Sequence, residues 1–221
     1  FLLRDTLKKV YTDNQTVIDE CVNEHALPTE LFKVHYQPIE EDIAKPHENK
    51  NPKLNILWAG RITSLKLPNI VKQIGEGLPE SLFNIDVYGE FSSDIPHDYF
   101  NNIDSINYKG TFDGFFNIPT NNYDILLYTS EADGIPNILL EATAAGLPII
   151  ASNDGGVHEF IQDKKTGILI NNPNDVKSYI SELRKIQKDK SILSTYINNA
   201  QKLLKNRHSF NYFIKEIEED F

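Results

Sequence analysis

Short apolar runs alternate with helical patterns along most of the chain from Leu54 onward. The apolar runs lie at residues 54–59, 83–88, 106–109, 123–128, 148–151 and 167–170. Helices are predicted between them at 68–74, in a short piece at 96–102, at 137–145, and from His158 onward. Strands that are apolar on both faces and alternate with helices are typical of a parallel sheet covered on both sides. The pattern therefore predicts an α/β fold.

The two ends of the chain lack the alternation of strands and helices that the central part shows. After residue 167 only helical patterns follow, at 175–188, 192–205 and 210–221, with Asp175 as the candidate N-cap of the first. Near the start, residues 15–24 are helix-like and residues 31–36 are extended. Residues 40–53 are polar with no apolar period, which indicates a connector.

Composition narrows the class of protein. The 221 residues are 40% hydrophobic and 24% charged, a balance typical of a soluble globular chain of one or two domains. A formal net charge of −10 argues against a general nucleic-acid binder, since phosphate attraction needs surplus Lys and Arg. The single cysteine excludes an internal disulfide and a cysteine-based zinc finger, and it fits a reducing, cytoplasmic location.

Neither a transmembrane span nor a signal peptide is predicted, because no stretch approaches about 20 apolar residues. The sequence contains no methionine, even at position 1. We therefore expect it to be part of a longer protein, unless methionines have been lost from the sequence.

The first segment with candidate chemistry follows the strand at 54–59. Gly60 and Arg61 come at its end, and Lys66 follows before the next helix. Glycine permits close backbone approach, and two cations at the carboxyl edge of a parallel sheet can clamp two phosphoryl groups. The segment predicts a diphosphate site, while a plain turn with a solvated cation is the alternative.

The most informative segment is residues 128–142, YTSEADGIPNILLEA. With Pro136 as the first helical residue, Asp133 lies in the preceding loop and Glu141 about one turn inside the helix, facing the same crevice. The amides of residues 134–137 form a candidate anion site, and Glu141 is suited to gripping vicinal hydroxyls. Alternatively, Asp133 and Glu131 only stabilise the helix dipole; Glu141 resists that explanation because it interrupts an apolar run.

Two further turns are less specific. Residues 144–152 indicate a helix that ends at Gly146 and a buried strand that begins after Pro148. Residues 153–159 place Gly155 and Gly156 in a turn that fits either phosphate contact or tight packing.

The order of these segments resembles the carboxyl-terminal domain of retaining, GT-B-fold glycosyltransferases of family four, the glycosyl transferases group 1. The resemblance spans about residues 54–170. It rests on Gly60-Arg61 with Lys66, the pair Asp133 and Glu141, the Glu-Ala-x-Ala-x-Gly-x-Pro run from Glu141 to Pro148, Gly155-Gly156-x-x-Glu159, and Thr166-Gly167. More faintly, residues 12–38 are similar to the segment that joins the family's two domains, and residues 208–210 to the start of its last helix.

The resemblance implies a fold and an organisation. The fold is a Rossmann-like parallel sheet with helices on both faces, the carboxyl-terminal half of a GT-B fold, followed by a helical tail. Residues 1–52 would be the interdomain segment and the end of the amino-terminal domain. Residues 53–206 would bind the nucleotide sugar, and residues 207–221 would form a helix that packs towards the amino-terminal domain.

The resemblance also implies site residues. Arg61 and Lys66 would hold the diphosphate and stabilise the charge of the leaving group, and Asp133 would contact the transferred sugar. The implied donor-binding residues are Gly60, Gly89, Glu90, Thr111, Phe112, Gly134, Ile135, Pro136, Asn137, Leu139 and Glu141. Three positions depart from the family pattern: Asp133 stands where Glu is usual, Leu67 replaces a glycine, and Thr143 replaces a common Met.

The implied function is transfer of a sugar from a nucleoside diphosphate sugar to an acceptor hydroxyl, with retention, in polysaccharide or glycoconjugate biosynthesis. The expected partners are the nucleotide sugar and a glycan or lipid-linked acceptor, with no nucleic acid and with peripheral association at the inner face of the membrane. No cofactor or metal is expected, because no Asp-x-Asp follows a strand and the six histidines lack ligand spacing. The alternatives are a non-catalytic nucleotide-sugar-binding subunit, a sugar-nucleotide epimerase or a phosphorylase; a dinucleotide dehydrogenase fits less well because Gly-x-Gly-x-x-Gly is absent.

Overall fold

The computed structural model describes residues 8–39, 42–46, 51–131 and 133–219. Its strands are β1 (Val10–Thr12), β2 (Phe32–Val34), β3 (Leu54–Ala59), β4 (Phe83–Tyr88), β5 (Ile106–Gly110), β6 (Ile125–Tyr128), β7 (Ile149–Ser152) and β8 (Ile168–Ile170). Its α-helices are α1 (Gln15–His25), α2 (Pro68–Glu76), α3 (Asn137–Ala144), α4 (Val157–Phe160), α5 (Val176–Lys188), α6 (Ser191–Arg207) and α7 (Phe210–Glu218). Ala132, His47, part of the predicted connector and the last two residues of the predicted final helix lie outside the described residues.

The main sheet has six parallel strands in the order β5-β4-β3-β6-β7-β8. In chain order these are the third, second, first, fourth, fifth and sixth strands of the sheet, the order of a doubly wound Rossmann sheet. The α/β prediction is confirmed, and all six predicted strands are present. The strand order reverses between β3 and β6, whose residues Ile56 and Ile125 pair in register.

Both faces of the sheet are covered because its strands are apolar on both sides. In β3, Ile56 and Trp58 face a layer formed with α2 and α5, while Leu57 and Ala59 face a layer formed with α3. In the same two layers α2 packs against α5 and α3 packs against α6. The near-continuous burial of β3 is the reason that its sequence shows an apolar run rather than an alternation.

Four details differ from the prediction. Residues 96–102 form turns rather than a short helix. Strand β6 begins at Ile125, because Thr120–Asn122 forms a single 3₁₀ turn just before it. Pro136 is the extended N-cap of α3 rather than its first residue, and the helix starts at Asn137, as the pattern at 137–145 predicts. Strand β1, which pairs in parallel with β2, was not predicted, since three residues at the edge of a two-stranded sheet carry no clear period.

The caps of two predicted helices explain where they begin. The Asp175 side chain accepts a hydrogen bond from the backbone N–H of Ser178 at 3.2 Å, which confirms Asp175 as the N-cap of α5. Asn14 is 1% exposed and accepts from the N–H of Val17 at 2.9 Å, so it caps α1. Each cap satisfies an amide that the helix itself leaves unpaired.

The Glu159 carboxylate anchors α1 to the main sheet. One of its oxygens accepts from the backbone N–H of Thr16 at 2.9 Å and from the Thr16 hydroxyl at 2.8 Å. The other accepts from the N–H of Gln15 at 3.0 Å and from the Tyr36 hydroxyl at 3.1 Å. A side chain 143 residues away in sequence therefore caps the first turn of α1.

A buried histidine near the carboxyl terminus also holds the amino-terminal segment, next to the Glu159 contacts. His208 is fully buried, and burial lowers its pKa to about 4, so the imidazole is neutral. Its Nε2 accepts from Arg207 at 3.0 Å, which leaves Nδ1 to donate to the Gln37 carbonyl at 2.8 Å. The Arg207 guanidinium lies 4.1 Å from the centre of the Tyr36 ring. Residues 36–39 are thereby fixed against the start of α7.

We expect Glu159→Gln to lower the free energy of unfolding by about 1.5 kcal/mol at neutral pH. This value is at the low end of the range for hydrogen bonds to charged groups, because the carboxylate is partly solvated. Burial acts to raise the pKa of Glu159, but the hydrogen bonds from Gln15, Thr16 and Tyr36 outweigh it and lower the pKa below its ordinary value. A depressed pKa in the folded state gives stability above the unfolded-state pKa that is lost as pH falls through the folded value.

The measurement is urea unfolding of the wild type and Glu159→Gln between neutral and acidic pH. The difference between the two proteins should shrink towards zero in acid. Glu20→Gln, an exposed substitution on α1, is the matched control and should change stability little at any pH. A difference that is independent of pH would contradict the role of the charged carboxylate.

Candidate functional site

A cavity of about 430 Å³ opens at the carboxyl edge of the sheet, where β3 and β6 end. Its walls come from four segments: the end of β3 with the following turn, the turn after β5, the end of β6 with the loop after it, and the first two turns of α3. The lining residues are Trp58, Ala59, Gly60, Lys66, Phe112, Tyr128, Thr129, Asp133, Pro136, Asn137, Ile138 and Glu141. The reversal of strand order at this point separates the crossover connections and leaves a crevice, which is where doubly wound sheets bind ligands.

The backbone around Lys66 is fixed by hydrogen bonds to the segment after β6. The Thr129 hydroxyl donates to the Lys66 carbonyl at 2.7 Å and accepts from the Trp58 indole at 3.0 Å. The N–H of Glu131 donates to the Leu65 carbonyl at 3.0 Å. The 3₁₀ turn Ser64–Lys66 is thus tied to the neighbouring strand, which determines where the lysine side chain enters the cavity.

Lys66 and Asp133 form an ion pair inside the cavity. The Nζ of Lys66 lies 2.5 Å from Oδ2 of Asp133, and the two side chains are 26% and 23% exposed. The same carboxylate oxygen also accepts from the Ser130 hydroxyl at 2.5 Å and from the Tyr128 hydroxyl. Burial acts to raise the pKa of Asp133, but these three hydrogen bonds outweigh it and lower the pKa below its usual range, so the carboxylate stays charged.

Gly155 holds the backbone of Asp133 in place from the other side. Its φ is +50°, and a Cβ there would lie 1.9 Å from the Asp133 carbonyl oxygen. That carbonyl accepts from the N–H of Gly156 at 3.2 Å. The paired glycines, for which phosphate contact and tight packing were both open, serve tight packing here.

Helix α3 presents its amino terminus and Glu141 to the cavity. Pro136, at the N-cap, supplies no side-chain cap, and Asn137 and Ile138 line the wall at the first turn. Glu141, one turn further on, also lines a second cavity of about 450 Å³ with Gln37, Phe116 and other residues. The arrangement combines a cation, a helix amino terminus and a carboxylate, which suit a diphosphate and a neighbouring diol.

The structure brings half of the predicted site residues to the wall of this cavity. They are Gly60, Lys66, Phe112, Asp133, Pro136, Asn137 and Glu141. Arg61 follows Gly60 at the same edge, but its side chain is exposed and is not among the described residues that line the cavity. Ile135 and Leu139 are 3% and 0% exposed in the core, and neither is among the described residues that line the cavity.

The remaining predicted residues lie on neighbouring turns. Glu90 and Thr111 are exposed at the ends of β4 and β5. Gly89 packs against β3, since a Cβ there would lie 1.8 Å from the Gly60 carbonyl oxygen. Gly134 packs against the amino-terminal segment, where a Cβ would lie 2.8 Å from the Asn14 amide and 3.1 Å from an Asp13 carboxylate oxygen. The roles of these residues stay predictions.

Sequence reasoning missed four residues of the site: Trp58, Tyr128, Thr129 and Ser130. Tyr128 and Ser130 contact Asp133, and Trp58 supports Thr129. Tyr128 and Trp58 were read only as apolar residues of buried strands. Their polar atoms gave no signal because the sequence does not show whether a side chain near the end of a strand points to the core or to the edge.

The described residues contain neither a metal-binding cluster nor a membrane-spanning helix. No group of three or more His, Cys, Asp and Glu side chains within them is arranged to hold a metal ion. Within the same part of the chain, no helix combines the length and the apolar character that crossing a membrane requires.

Comparison with known proteins gives a family match and two relatives. The model of the family "Glycosyl transferases group 1" matches residues 113–203. The O-antigen biosynthesis glycosyltransferase WbnH of Escherichia coli is 29% identical over 131 residues, 59% of this chain and 37% of the relative. A UDP-Gal:alpha-D-GlcNAc-diphosphoundecaprenol alpha-1,3-galactosyltransferase of Escherichia coli is 30% identical over 132 residues, 58% of this chain and 33% of the relative. The chain matches about a third of the length of each relative.

Solved structures share the fold over almost the whole chain. The crystal structure of Anabaena HepE in complex with UDP superposes with a TM-score of 0.85 at 16% identity, covering 99% of this chain and 65% of that one. At this identity the likeness is one of fold. It confirms the Rossmann-like, GT-B-type architecture with its helical carboxyl-terminal end.

Leu67, which follows Lys66, provides a test of backbone strain at the site. It has φ +50°, in the left-handed region, yet its side chain is 5% exposed in the core. Leu67→Ala and Leu67→Gly both remove the buried side chain, but glycine also removes a left-handed penalty of about 1 kcal/mol. We expect the glycine variant to be more stable than the alanine variant by about that amount in urea unfolding.

The matched control is Leu183, which is fully buried in α5. In a helix interior alanine is favoured over glycine by about 1 kcal/mol, so the order of the two variants should reverse there. The same order at both positions would contradict strain at Leu67.

Proposed function

We propose that this chain, whose residues 113–203 match the glycosyl transferases group 1 family, forms the donor-binding half of a retaining glycosyltransferase. It binds a nucleoside diphosphate sugar, and the sugar passes to an acceptor hydroxyl during polysaccharide or glycoconjugate biosynthesis. The acceptor, a glycan or a lipid-linked molecule, is bound by a part of the protein beyond this chain. The whole protein works in the cytoplasm, at the inner face of the membrane when its acceptor is lipid-linked.

One observation carries this proposal: Lys66, the start of α3 and Glu141 line a single cavity at the switch point of the sheet. The cation and the helix amino terminus attract the diphosphate, and the carboxylate accepts hydrogen bonds from the ribose hydroxyls. The names of the similar proteins support a uridine nucleotide as the donor, because one names UDP-Gal and one crystal structure contains UDP.

The proposed transfer breaks the bond between the anomeric carbon and the diphosphate oxygen. A bond forms from the acceptor oxygen to the same carbon, and the proton of the acceptor hydroxyl passes to an oxygen of the departing diphosphate. Negative charge grows on the departing diphosphate. Lys66 and the first amides of α3 stabilise that charge more strongly in the transition state than in the bound donor, which is the condition for acceleration. Arg61, exposed beside Gly60, is proposed to join them when the donor is bound.

A second function is favoured by the ion pair between Lys66 and Asp133. In this pair Asp133 already neutralises the lysine charge within the cavity. The acid that faces the lysine is an aspartate, one methylene shorter than the glutamate usual in the family. A non-catalytic subunit that binds a nucleotide sugar would tolerate such an arrangement. Transfer assays on the whole protein distinguish the two functions: a large gain from Asp133→Glu favours the binding subunit, and efficient transfer by the unaltered protein favours the enzyme.

The direct test is calorimetric titration of this chain with UDP-, GDP- and ADP-sugars. We expect one nucleotide class, the uridine class, to bind more tightly than the others. The proposal would be overturned if circular dichroism shows an intact fold and the titrations show binding to none of the three.

Glu141→Ala tests the role of the carboxylate in α3. We expect nucleotide affinity to fall by about 1–3 kcal/mol, since two hydrogen bonds to a charged group are lost. Glu76→Ala, an exposed substitution near the end of α2, is the control and should leave the dissociation constant unchanged. An unchanged affinity in Glu141→Ala would remove the ribose assignment.

A further inference from the structure

We propose that Tyr128 is a positioning residue: its hydroxyl bridges Asp133 and Lys66, so that the carboxylate holds the lysine in place for the diphosphate rather than holding the sugar. This inference rests on the proposed function of the cavity and deepens it. It assigns a role to a tyrosine that lies at the end of a buried strand and to the acid that departs from the family pattern.

Tyr128 is placed for this role by β6. It is the last residue of the strand, and its side chain is 4% exposed although it lines the cavity. Its hydroxyl contacts Oδ2 of Asp133 and lies 3.4 Å from Nζ of Lys66. The ammonium also lies 5.3 Å from the centre of the ring. One side chain therefore contacts both members of the ion pair.

The directions of these hydrogen bonds follow from the chemistry of the groups. An ionised carboxylate only accepts and an ammonium only donates, so the single phenol proton goes to Asp133 and an oxygen lone pair receives a proton from Lys66. Burial raises the pKa of Tyr128, and the hydrogen bond to Asp133 raises it further, so the phenol remains a donor at neutral pH. The bridge has one arrangement of protons.

One oxygen of the Asp133 carboxylate is occupied by this bridge. Tyr128, Ser130 and Lys66 all contact the same oxygen, Oδ2. The backbone of Asp133 is fixed as well, through the Gly156 N–H on its carbonyl. The side chain has only one methylene, so it reaches Lys66 from this backbone position. An acid held at both ends is suited to orienting a neighbour.

The fixed lysine has a consequence for specificity. An ammonium held by a carboxylate and a phenol points its remaining donor in one direction, towards the open cavity. Loss of the phenol oxygen frees the ammonium to rotate, which weakens contacts with a diphosphate and leaves contacts with the nucleoside unchanged. Affinity for a diphosphate and affinity for the nucleoside alone should therefore respond differently.

The test is Tyr128→Phe, which keeps the ring and removes only the bridging oxygen. We expect UDP affinity to fall about tenfold by calorimetry, while uridine affinity, measured by NMR titration, stays within twofold. The carbon-13 titration of the Asp133 carboxyl should move to higher pH, because the charged form has lost a donor.

Tyr123→Phe is the matched control. Tyr123 is also buried, at 3% exposed, and its hydroxyl donates to Asp86 at 2.9 Å, away from the cavity. This variant should leave UDP affinity and the Asp133 titration unchanged. Equal losses of UDP and uridine affinity in Tyr128→Phe, or an unmoved Asp133 titration, would overturn the proposal.

A second measurement covers the case in which Tyr128→Phe does not fold. In the unaltered chain, the Tyr128 hydroxyl proton should exchange slowly in NMR spectra at neutral pH and exchange rapidly once Asp133 is protonated in acid. Rapid exchange at neutral pH would overturn the bridge. These readouts need no ligand, so they remain decisive if the unaltered chain binds no nucleotide, a result that would remove the proposed function alone.

Discussion

The reversal of strand order between β3 and β6 is the constraint on which the rest of the site depends. Chain connections leave these two parallel strands in opposite directions across the sheet, so their carboxyl ends border a gap that no crossover covers. The turn that carries Lys66 follows one strand, and the loop that carries Asp133 follows the other. Their pairing is thus a product of topology, since 67 residues separate them in sequence.

The site also shows how an acidic chain can bind an anionic ligand. The chain carries a net charge of −10, which repels an anionic ligand in general. At the gap, the Lys66 ammonium and the amino terminus of α3 offer hydrogen-bond donors to such a ligand, although Asp133 balances the lysine charge. Asp133 lowers the cost of keeping that ammonium partly buried, because a buried charge is stable only when it is paired. The same pairing restricts the lysine to one place.

The amino-terminal segment is joined to this site through a single turn. Gly155 and Gly156 pack against the backbone of Asp133, and Glu159, three residues later, caps the first turn of α1. Asp13 and Asn14, just before α1, lie against Gly134 and Gly156. The geometry of Asp133 and the position of α1 therefore depend on the same few residues. A shift of α1 would displace Asp133, and a shift of Asp133 would displace α1.

The fold class, the six strands of the main sheet, most helices and the order of the segments that carry chemistry could all be predicted from the sequence. These features depend on the spacing of hydrophobic residues and on turn-forming residues, both of which can be recognised within a short stretch of sequence. The sequence also identified Lys66, Asp133 and Glu141 as polar residues in the right segments. Tertiary structure alone decided that Asp133 faces Lys66, that Tyr128 bridges them, that Glu159 caps α1 and that Arg61 is exposed. These facts concern the direction of a side chain and contacts between distant segments, and both are set by how the strands are ordered and packed rather than by any local pattern.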